Sequence, residues 1–442
     1  MKRKPRQPRQ STLSRRVSPA AAGDAAEVVV VRVEGLAPGG DAVGRQEGGK
    51  AAGRATFVAL AAPGERVQAR LTREKGRVAW ADLIAVDEPS PERVDPPCAL
   101  FGRCGGCQWQ HVALETQRAA KRDIVARALR LPREAVPLLA PAEAGVAYRE
   151  RAQFVVGADG ALGFRARRSH QVVDVDRCLL LAPALQRVLA QAMRPAVASF
   201  PPGTELDLQA GREGVHVTVR LAVGGSREGS VPFATLPPAW SAAGVVGMRV
   251  VDGRADNAAL MVRMGLDDVD IAVAGQGEPA LRIPAGAFSQ VGAAANQALV
   301  ATVLDQVGEA PGRVLELYAG SGNFTRFLLG RATKVTACEG DPAAVARGRR
   351  TAPSADWSKH PPHLVDADTV VVDPPREGLD AENLAAVLQA KRRVVYVSCD
   401  PQTLARDAAR LAQSGFVLRA AVALDLMPHT YHVEVVATFD RP

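Results

Sequence analysis

Short runs of alternating apolar and polar positions fill the first part of the chain. Between Glu27 and Val86 these runs are separated by glycines, as in VVVVRVEGLA, GRATFVAL and ERVQARLTREKGRVAWADLIAV. Alternation with turn signals is typical of a small closed barrel of the kind that binds oligonucleotides. The sequence therefore predicts an N-terminal OB-like β-barrel over residues 24–88.

A linker with four prolines between residues 89 and 97 separates this barrel from the next region. From Leu114 to Leu131 the spacing of apolar residues is helical, with one basic face. Between Tyr148 and Pro284 the pattern indicates mainly strands, such as YRERAQFVVG, GALGFRA, TELDLQAG and GVHVTVRLAV. We therefore expect a mixed central domain over residues 89–284.

From Ala285 onward, apolar strands alternate with alanine-rich helices. The strands are RVLELYAG, KVTACEG, TVVVDPP, RRVVYVSCD and a final HVEVVATF. This alternation predicts a parallel, doubly wound, Rossmann-like sheet over residues 285–442. A chain of 442 residues is too long for one ordinary core, so an α/β protein of about three domains is expected.

The excess of positive charge lies at the N-terminal end of the chain. The net charge is +8, and the positive residues that precede Asp24 are Lys2, Arg3, Lys4, Arg6, Arg9, Arg15 and Arg16. We expect residues 1–23 to be a disordered basic tail that attracts phosphates without specificity, or a solvated tail without a role. No stretch of roughly 18 apolar residues occurs, and no apolar core follows the N-terminal charges, so we expect neither a membrane span nor a secretory signal. We expect a cytoplasmic protein, and a monomer.

A glycine-rich turn is the strongest local signal for a cofactor. In VLELYAGSGNFT, Gly320 and Gly322 let the backbone approach a ligand at the carboxyl end of a strand, where doubly wound sheets bind cofactors. Glu339 ends the next apolar strand and is placed to accept hydrogen bonds from ribose hydroxyls. The pair favours a methyl donor, although a dinucleotide site or an ordinary tight turn is also compatible with it.

Three further residues at strand ends are candidates for catalysis. Asp373, in DPPR, could contact substrate or cofactor, but Asp-Pro also opens ordinary turns, and DPPR also suits an amino-group methyltransferase. Cys399 leaves a strand into a loop and could form a thiolate, whereas Cys338 within VTACEG predicts buried packing. Thiolate addition at C6 of uracil would activate C5 toward a sulfonium methyl. Glu434, which opens the last strand, is the candidate base for the C5 proton, or else an exposed strand carboxylate.

The other cysteines have the spacing of metal ligands, C-x5-C-x2-C followed by a distant fourth residue. Four thiolates suit either zinc or an iron–sulfur cluster, and the spacing does not choose between them. The four candidate ligands are Cys98, Cys104, Cys107 and Cys178.

In combination, these motifs resemble the uracil-C5 RNA methyltransferases that include tRNA and 23S ribosomal RNA enzymes. The resemblance rests on CGGCQWQH, FSQ, YAGSGNFT, DPPREGL, SCDP and the HVE near the end. It implies that the barrel is a TRAM domain, that the four cysteines hold a [4Fe-4S] cluster, and that the last region is a class I methyltransferase domain. It further implies Cys399 as nucleophile and Glu434 as proton acceptor. The residues it implies around S-adenosyl-L-methionine are Gln290, Tyr318, Gly320, Asn323, Glu339 and Asp373.

Two positions depart from the family pattern. Gly292 follows Val291 where the family has asparagine, and the stretch from Glu339 to Asp373 is short and lacks an asparagine-containing segment. The resemblance implies methylation of uridine C5 in structured RNA, most simply 23S rRNA, through a covalent Cys–C6 adduct with the base flipped out. The alternatives are a tRNA uridine-C5 methyltransferase and an RNA-binding homologue with weakened catalysis. A third, an iron–sulfur redox protein, is disfavoured because Cys399 and Glu434 are both kept.

Overall fold

The computed structural model describes residues 27–142, 144–221, 233, 235–253, 259–271, 281–361 and 366–442. The basic tail predicted at residues 1–23 lies outside the described residues. The described chain forms two compact units. One contains residues 27–36 and 41–91, and the other contains residues 37–40 together with the chain from residue 92 onward.

The first unit is a closed five-stranded barrel, which confirms the prediction from alternation. Its inward-facing side chains include Val31, Val58 and Val67, each fully buried. β1 pairs antiparallel with β2 and β4, whereas β3 and β5 are parallel. The predicted runs left out β2 and gave β4 and β5 as a single run. The strands are β1 Val28–Leu36, β2 Ala42–Glu47, β3 Ala55–Ala59, β4 Arg66–Lys75 and β5 Val78–Glu88.

The second unit mixes helices and strands along the remaining chain. Its helices are α1 Leu114–Leu129, α2 Pro183–Val188, α3 Arg194–Ala196, α4 Pro238–Ala243, α5 Ala293–Val307, α6 Thr325–Leu328, α7 Pro342–Thr351, α8 Ala381–Val387 and α9 Pro401–Gln413. Its strands are β6 Leu138–Leu139, β7 Arg151–Val156, β8 Leu162–Arg165, β9 Val172–Asp174, β10 Glu205–Ala210, β11 Val215–Leu221, β12 Val245–Asp252, β13 Ala259–Gly265, β14 Asp268–Ile271, β15 Leu281–Pro284, β16 Arg313–Leu317, β17 Lys334–Cys338, β18 Asp356–Ser358, β19 Thr369–Val372, β20 Arg393–Ser398, β21 Val417–Leu424 and β22 Glu434–Asp440. Short 3-10 helices cover Arg133–Ala135 and Val197–Ser199, and a π-helix covers Leu189–Met193.

A seven-stranded sheet of order β13-β12-β11-β10-β7-β8-β9 contains the strands predicted for the central region. One face packs apolar side chains such as Phe154, Leu206 and Val217 against α2, the π-helix and α4. The opposite face carries polar side chains that are nonetheless buried, among them Asp207 and Gln209. This polar face meets the loop that precedes α5, through hydrogen bonds described below.

The eight-stranded sheet has the order β18-β17-β16-β19-β20-β22-β21-β6. Its strands from β16 to β20 are parallel, as predicted, but β22 runs antiparallel to both β20 and β21. Leu315 and Val372 face one core shared with α1, α8 and α9, whereas Val314 and Val371 face a second core with α5. Burial on both faces explains why these strands are almost continuously apolar.

Candidate active site

The glycine-rich turn leaves β16 in left-handed backbone conformations. Tyr318, Gly320 and Gly322 have φ angles of 60°, 56° and 90°. The Gly320 N–H donates to Glu339 Oε2 at 2.8 Å, and the Asp341 N–H donates to Glu339 Oε1 at 2.7 Å. Glu339 was predicted to accept hydrogen bonds from a ribose. In this structure its carboxylate also fixes the turn to the carboxyl end of β17.

Asn323 connects the same turn to α5. Its amide donates to Asn296 Oδ1 at 2.8 Å, and Asn296 donates back to Asn323 Oδ1 at 3.0 Å. Both amides are therefore paired with each other. The structure gives Asn323 a clear role in holding the turn.

A tryptophan packs against the glycine-rich turn from β18. A Cβ added to Gly322 would lie 3.5 Å from the Trp357 ring, and one added to Gly348 of α7 would lie 2.2 Å from it. Trp357 Nε1 donates to the Ala352 carbonyl at 3.1 Å. The short segment that departs from the family pattern thus forms α7 and β18 and places an aromatic ring beside the turn. No local motif marks Trp357, although tryptophan is rare in this chain.

Gln290 lies in the loop between β15 and α5, and this loop rests on the polar face of the seven-stranded sheet. Gln209 Nε2 donates to Ser289 Oγ at 2.8 Å, and Arg220 donates to the Gly286 carbonyl at 3.2 Å. Gln290 itself is half-buried, whereas Phe288 is 76% exposed. The buried polar residues of the central sheet therefore position the segment that contains Gln290.

Strand register brings Cys399 next to Glu434. Ser398, the last residue of β20, pairs antiparallel with Val435 of β22. Extending this register by one residue sets Cys399 opposite Glu434, with Cα atoms roughly 4.5–5.5 Å apart. Asp373 follows β19, the parallel neighbour of β20. Three residues that the sequence placed at separate strand ends are thus brought to one edge of the sheet.

These three groups share a buried, acidic environment. Burial, and after it the charge of the nearby Glu434, raise the pKa of Cys399 to about 11, although the charge of Arg376 and a hydrogen bond from it act in the opposite direction. Burial raises the pKa of Asp373 to about 7. Burial and the charge of Asp373 also hold the pKa of Glu434 well above its usual range. Without added positive charge, the thiol and Glu434 are therefore mainly protonated at neutral pH.

Arg376 and His432 form a pair beside the thiol that the sequence analysis missed. Arg376 Nη2 is 2.7 Å from His432 Nδ1. Burial, and then the charge of Arg376, lower the pKa of His432 to about 4, so the ring is neutral and its Nδ1 can accept from the guanidinium. The arginine of DPPR and the histidine of HVE were both within recognised motifs. Only their contact in space shows that they act together.

The loop between β21 and β22 is held by the first half of the unit. Lys121 of α1 pairs with Asp425, with both side chains fully buried, and donates to the Met427 carbonyl at 3.0 Å. The N–H groups of Gln108 and Trp109 both donate to the His429 carbonyl at 3.0 Å. The loop that leads to His432 and Glu434 is therefore positioned by α1 and by the cysteine-rich segment.

The four cysteines with ligand spacing line one cavity. Its other walls include apolar side chains such as Leu100, Phe164 and Val175. Within the described residues, no three His, Cys, Asp or Glu side chains lie close enough to hold a single metal ion. The cysteines that line the cavity are Cys98, Cys104, Cys107 and Cys178.

The family model for tRNA (Uracil-5-)-methyltransferase matches residues 363–441, which contain Asp373, Cys399 and Glu434. The TRAM domain model matches residues 26–84, so the predicted identity of the barrel is confirmed.

Sequence relatives cover the whole chain. The 23S rRNA (uracil(1939)-C(5))-methyltransferase RlmD of Chromohalobacter salexigens is 36% identical over 100% of this chain and 96% of its own length. This chain belongs to the uracil-C5 RNA methyltransferase family. The methyltransferase is also 32% identical to the RlmD of Pectobacterium atrosepticum, over 94% of each chain.

A solved structure supports the fold of this methyltransferase. The Pyrococcus abyssi tRNA (uracil-54, C5)-methyltransferase, in complex with S-adenosyl-L-homocysteine, matches with a TM-score of 0.70 at 23% identity. The match covers 92% of this chain and 99% of the other. Within the described residues, helices of the methyltransferase are too short or too polar to cross a membrane.

Proposed function

We propose that this enzyme transfers a methyl group from S-adenosyl-L-methionine to C5 of a uridine in structured RNA, and that 23S rRNA carries the target. The observation that carries the proposal is the juxtaposition of Cys399 and Glu434 across β20 and β22, with Arg376 hydrogen-bonded to the thiol. Two relatives that span 100% and 94% of the chain are both named as 23S rRNA (uracil(1939)-C(5))-methyltransferases.

Cys399 is the proposed nucleophile. Its thiolate adds to C6 of uracil, and the π electrons of the C5–C6 bond move toward C5 and O4, which makes C5 able to attack a methyl group. Arg376 lowers the pKa of Cys399 and so opposes the effect of burial. His432, held neutral, keeps the guanidinium in place by accepting from it.

The methyl donor is proposed to bind at the glycine-rich turn. The donor supplies an electrophilic methyl group on a positively charged sulfur, and that charge favours the ionised forms of Asp373 and Glu434. Gly320 and Gly322 keep the turn free of side chains at the carboxyl edge of β16, where doubly wound sheets bind cofactors. The residues proposed around the donor are Gln290, Tyr318, Gly320, Asn323, Glu339 and Asp373.

Glu434 is the proposed base. Its carboxylate takes the proton from methylated C5, the C–H electron pair re-forms the enolate, and collapse of the enolate restores the C5–C6 double bond and expels the Cys399 thiolate. A carboxylate whose pKa is raised by burial is a stronger base than an exposed one.

The variant Glu434→Gln tests this assignment. Thiolate addition and methyl transfer precede proton removal, so the variant should stall with RNA covalently attached. Incubated with unmodified RNA and methyl-labelled donor, it should give a denaturation-resistant protein–RNA band that carries label. Cys399→Ala in the same background should remove the band.

Folding must be checked by thermal melting, because Glu434 opens a buried strand. A well-folded Glu434→Gln enzyme that methylates RNA at the wild-type rate would rule out Glu434 as the base. The target RNA is identified by mapping 5-methyluridine in cells that lack this protein. Loss of the modification from tRNA instead of 23S rRNA would assign the enzyme to the tRNA reaction.

We also propose that Cys98, Cys104, Cys107 and Cys178 hold a [4Fe-4S] cluster. The proposal is supported by the single cavity that the four thiols line and by its apolar walls, which suit a cluster shielded from water. Such a group would join the segment 98–107 to Cys178 of the central region and so stabilise the cysteine-rich segment.

The cluster predicts a brown protein when it is purified without oxygen. Cys178→Ala should lower the iron and acid-labile sulfide content, because one of four ligands is removed. Cys338→Ala is the matched control, since Cys338 is buried on β17 and should leave the iron content unchanged. A colourless protein with stoichiometric zinc would contradict the proposal.

A further inference from the structure

A second cavity lies beside the β8–β9 hairpin, apart from the residues of the candidate active site. Its volume is about 390 Å³, within the range of roughly 300–1,000 Å³ found for small-ligand pockets. We call it the arginine cavity. It is lined by Gly105, Gln108, Phe164, Arg165, Arg167 and Arg168, among others.

The hairpin gives this cavity a concentrated positive charge. No acidic residue occurs between Asp159 and Asp174, and three arginines lie in that interval. Arg165 is anchored by an ion pair with Glu205 at 3.0 Å, although its side chain remains 43% exposed. Guanidinium groups are suited to phosphate because their N–H groups match two phosphate oxygens at once.

The floor of the cavity is built from backbone. A Cβ on Gly105 would lie 2.8 Å from the Arg165 carbonyl oxygen, so the two segments approach as closely as only glycine permits. Gln108 Nε2 donates to the Gly105 carbonyl at 2.7 Å. Gln108 Oε1 is buried and meets no hydrogen-bond donor in the part of the chain that the structure describes. Buried acceptors of this kind are normally satisfied by water or a ligand.

The same glutamine connects the cavity to the candidate active site. The Gln108 N–H donates to the His429 carbonyl at 3.0 Å, and His429 precedes Glu434 by five residues. Five residues of chain span at most about 18 Å. The arginine cavity is therefore within a few nucleotides of the position proposed for the target uridine.

We propose that the arginine cavity binds an unpaired nucleotide of the substrate RNA that lies near the target uridine, an inference that rests on the proposed function. The arginines contact its phosphates, and the adjoining wall of Phe164 and Gln108 receives its base. Phosphate contacts fix the register of a strand. The cavity thus helps to select which unpaired uridine reaches Cys399, in keeping with recognition of RNA through unstacked bases.

The double variant Arg167→Gln/Arg168→Gln tests this in the full-length protein. The probe is an unmodified 23S rRNA transcript, with affinity measured at several salt concentrations. We expect roughly tenfold weaker binding at moderate salt and a salt dependence whose slope falls by about 0.7 for each single-stranded phosphate that the protein no longer neutralises. Arg167→Lys/Arg168→Lys keeps the charge and should bind RNA more tightly than the glutamine variant.

The matched control is Arg349→Gln/Arg350→Gln, which removes two exposed positive charges from α7. It should retain most of the wild-type affinity. The inference is overturned if both double variants weaken binding equally, or if the hairpin variant binds the transcript like the wild type while folded. It is also overturned if the hairpin variant is impaired only in binding uridine monophosphate, which would indicate a site for a free nucleotide.

The kinetics of methyl transfer distinguish a failure of this inference from a failure of the proposed function. The hairpin variant should raise KM for the transcript and leave kcat nearly unchanged, because the two arginines are proposed to bind RNA phosphates and take no part in thiolate addition or proton removal. The binding result decides the role of the arginine cavity. Turnover by the wild-type enzyme decides the proposed function.

Discussion

Burial at single residues controls which groups near the candidate site carry charge. Glu316, in the middle of β16, is 1% exposed, and burial raises its pKa to about 8. One carboxyl oxygen accepts from Thr325 Oγ1 at 2.6 Å, and the other has no partner among the described residues. At neutral pH Glu316 is therefore mainly a neutral acid.

This protonation predicts the pH dependence of stability. The unfolded carboxyl has a pKa near 4.5, so the folded state binds the extra proton between about pH 4.5 and 8. The free energy of unfolding should fall as pH rises through that interval, by up to about 1.4 kcal/mol per pH unit from this residue. Glu316→Gln keeps the acceptor for Thr325 and should show a shallower fall in urea denaturation from pH 5.5 to 8.

The control for this comparison is Glu309→Gln. Because Glu309 is 86% exposed, this substitution should leave the slope of the free energy of unfolding against pH as it is in the wild type. Asp373 and Glu434 also make the free energy of unfolding fall as pH rises. They do so in all three proteins, so their contribution cancels when the slopes of two proteins are subtracted. Equal slopes for the wild type and Glu316→Gln would show that Glu316 ionises normally in the folded state.

Residues at strand ends were predictable, and residues defined by long-range contacts were not. Cys399, Glu339 and Asp373 each end an apolar run, a signal that lies within a few positions of sequence. Glu316 interrupts such a run without any local sign of its hydrogen bond to Thr325. Because it depends on contacts between β16 and α6, its role is visible only in the folded chain.

At the scale of elements, α1 determines where the β21–β22 loop lies. The sequence predicted this helix and its basic face, and the structure begins it at the predicted Leu114. Lys121 is on that face but is fully buried against Asp425, more than 300 positions away. Periodicity can identify a basic face, but it cannot show that a distant carboxylate neutralises it.

Removing one partner of this ion pair should be costly. Lys121→Met leaves Asp425 buried, with Arg118 Nε at 3.7 Å as a weak substitute. The free energy of unfolding should drop by roughly 3–5 kcal/mol in urea denaturation. The double variant Lys121→Met/Asp425→Leu should recover much of the stability because no uncompensated charge remains.

Lys391→Met provides the comparison at an exposed pair with Asp366, where a change of at most about 1 kcal/mol is expected. If Lys121→Met behaved like Lys391→Met, the buried pair would not hold the loop. The helix would then have to position the loop through its apolar contacts alone.

At the scale of the whole molecule, local alternation was enough to predict that the first unit is a closed barrel, although it did not identify every strand. Its boundary was harder to foresee, because residues 37–40 belong to the other compact unit. The Gly40 carbonyl accepts from Trp109 Nε1 at 3.1 Å. Deleting the whole segment 27–86 would therefore also disturb the cysteine-rich region.

Charge substitutions test the barrel more cleanly. Arg73 and Arg77 are exposed near the β4–β5 turn, and Arg73 lies 3.8 Å over the Trp80 ring. If the barrel binds RNA, Arg73→Gln/Arg77→Gln should weaken binding and reduce the slope of affinity against salt by about 0.7 for each single-stranded phosphate left without its arginine. The measurement is RNA affinity at several salt concentrations.

Arg32→Gln/Arg66→Gln is the control with the same change in charge. Both arginines are already paired with carboxylates of the barrel, so they should contribute less to phosphate binding. Equal salt dependence of the two double variants would mean that this turn does not contact RNA.

The position of β22 between β20 and β21 has a consequence for biosynthesis. Cys399 is made 35 residues before Glu434, so several seconds pass between them at roughly 5–20 residues per second. During that interval the emerging chain contains the thiol but lacks the strand that brings the carboxylate beside it. Activity should therefore appear abruptly in nascent chains of increasing length, once β22 has left the ribosome and inserted between its two neighbours.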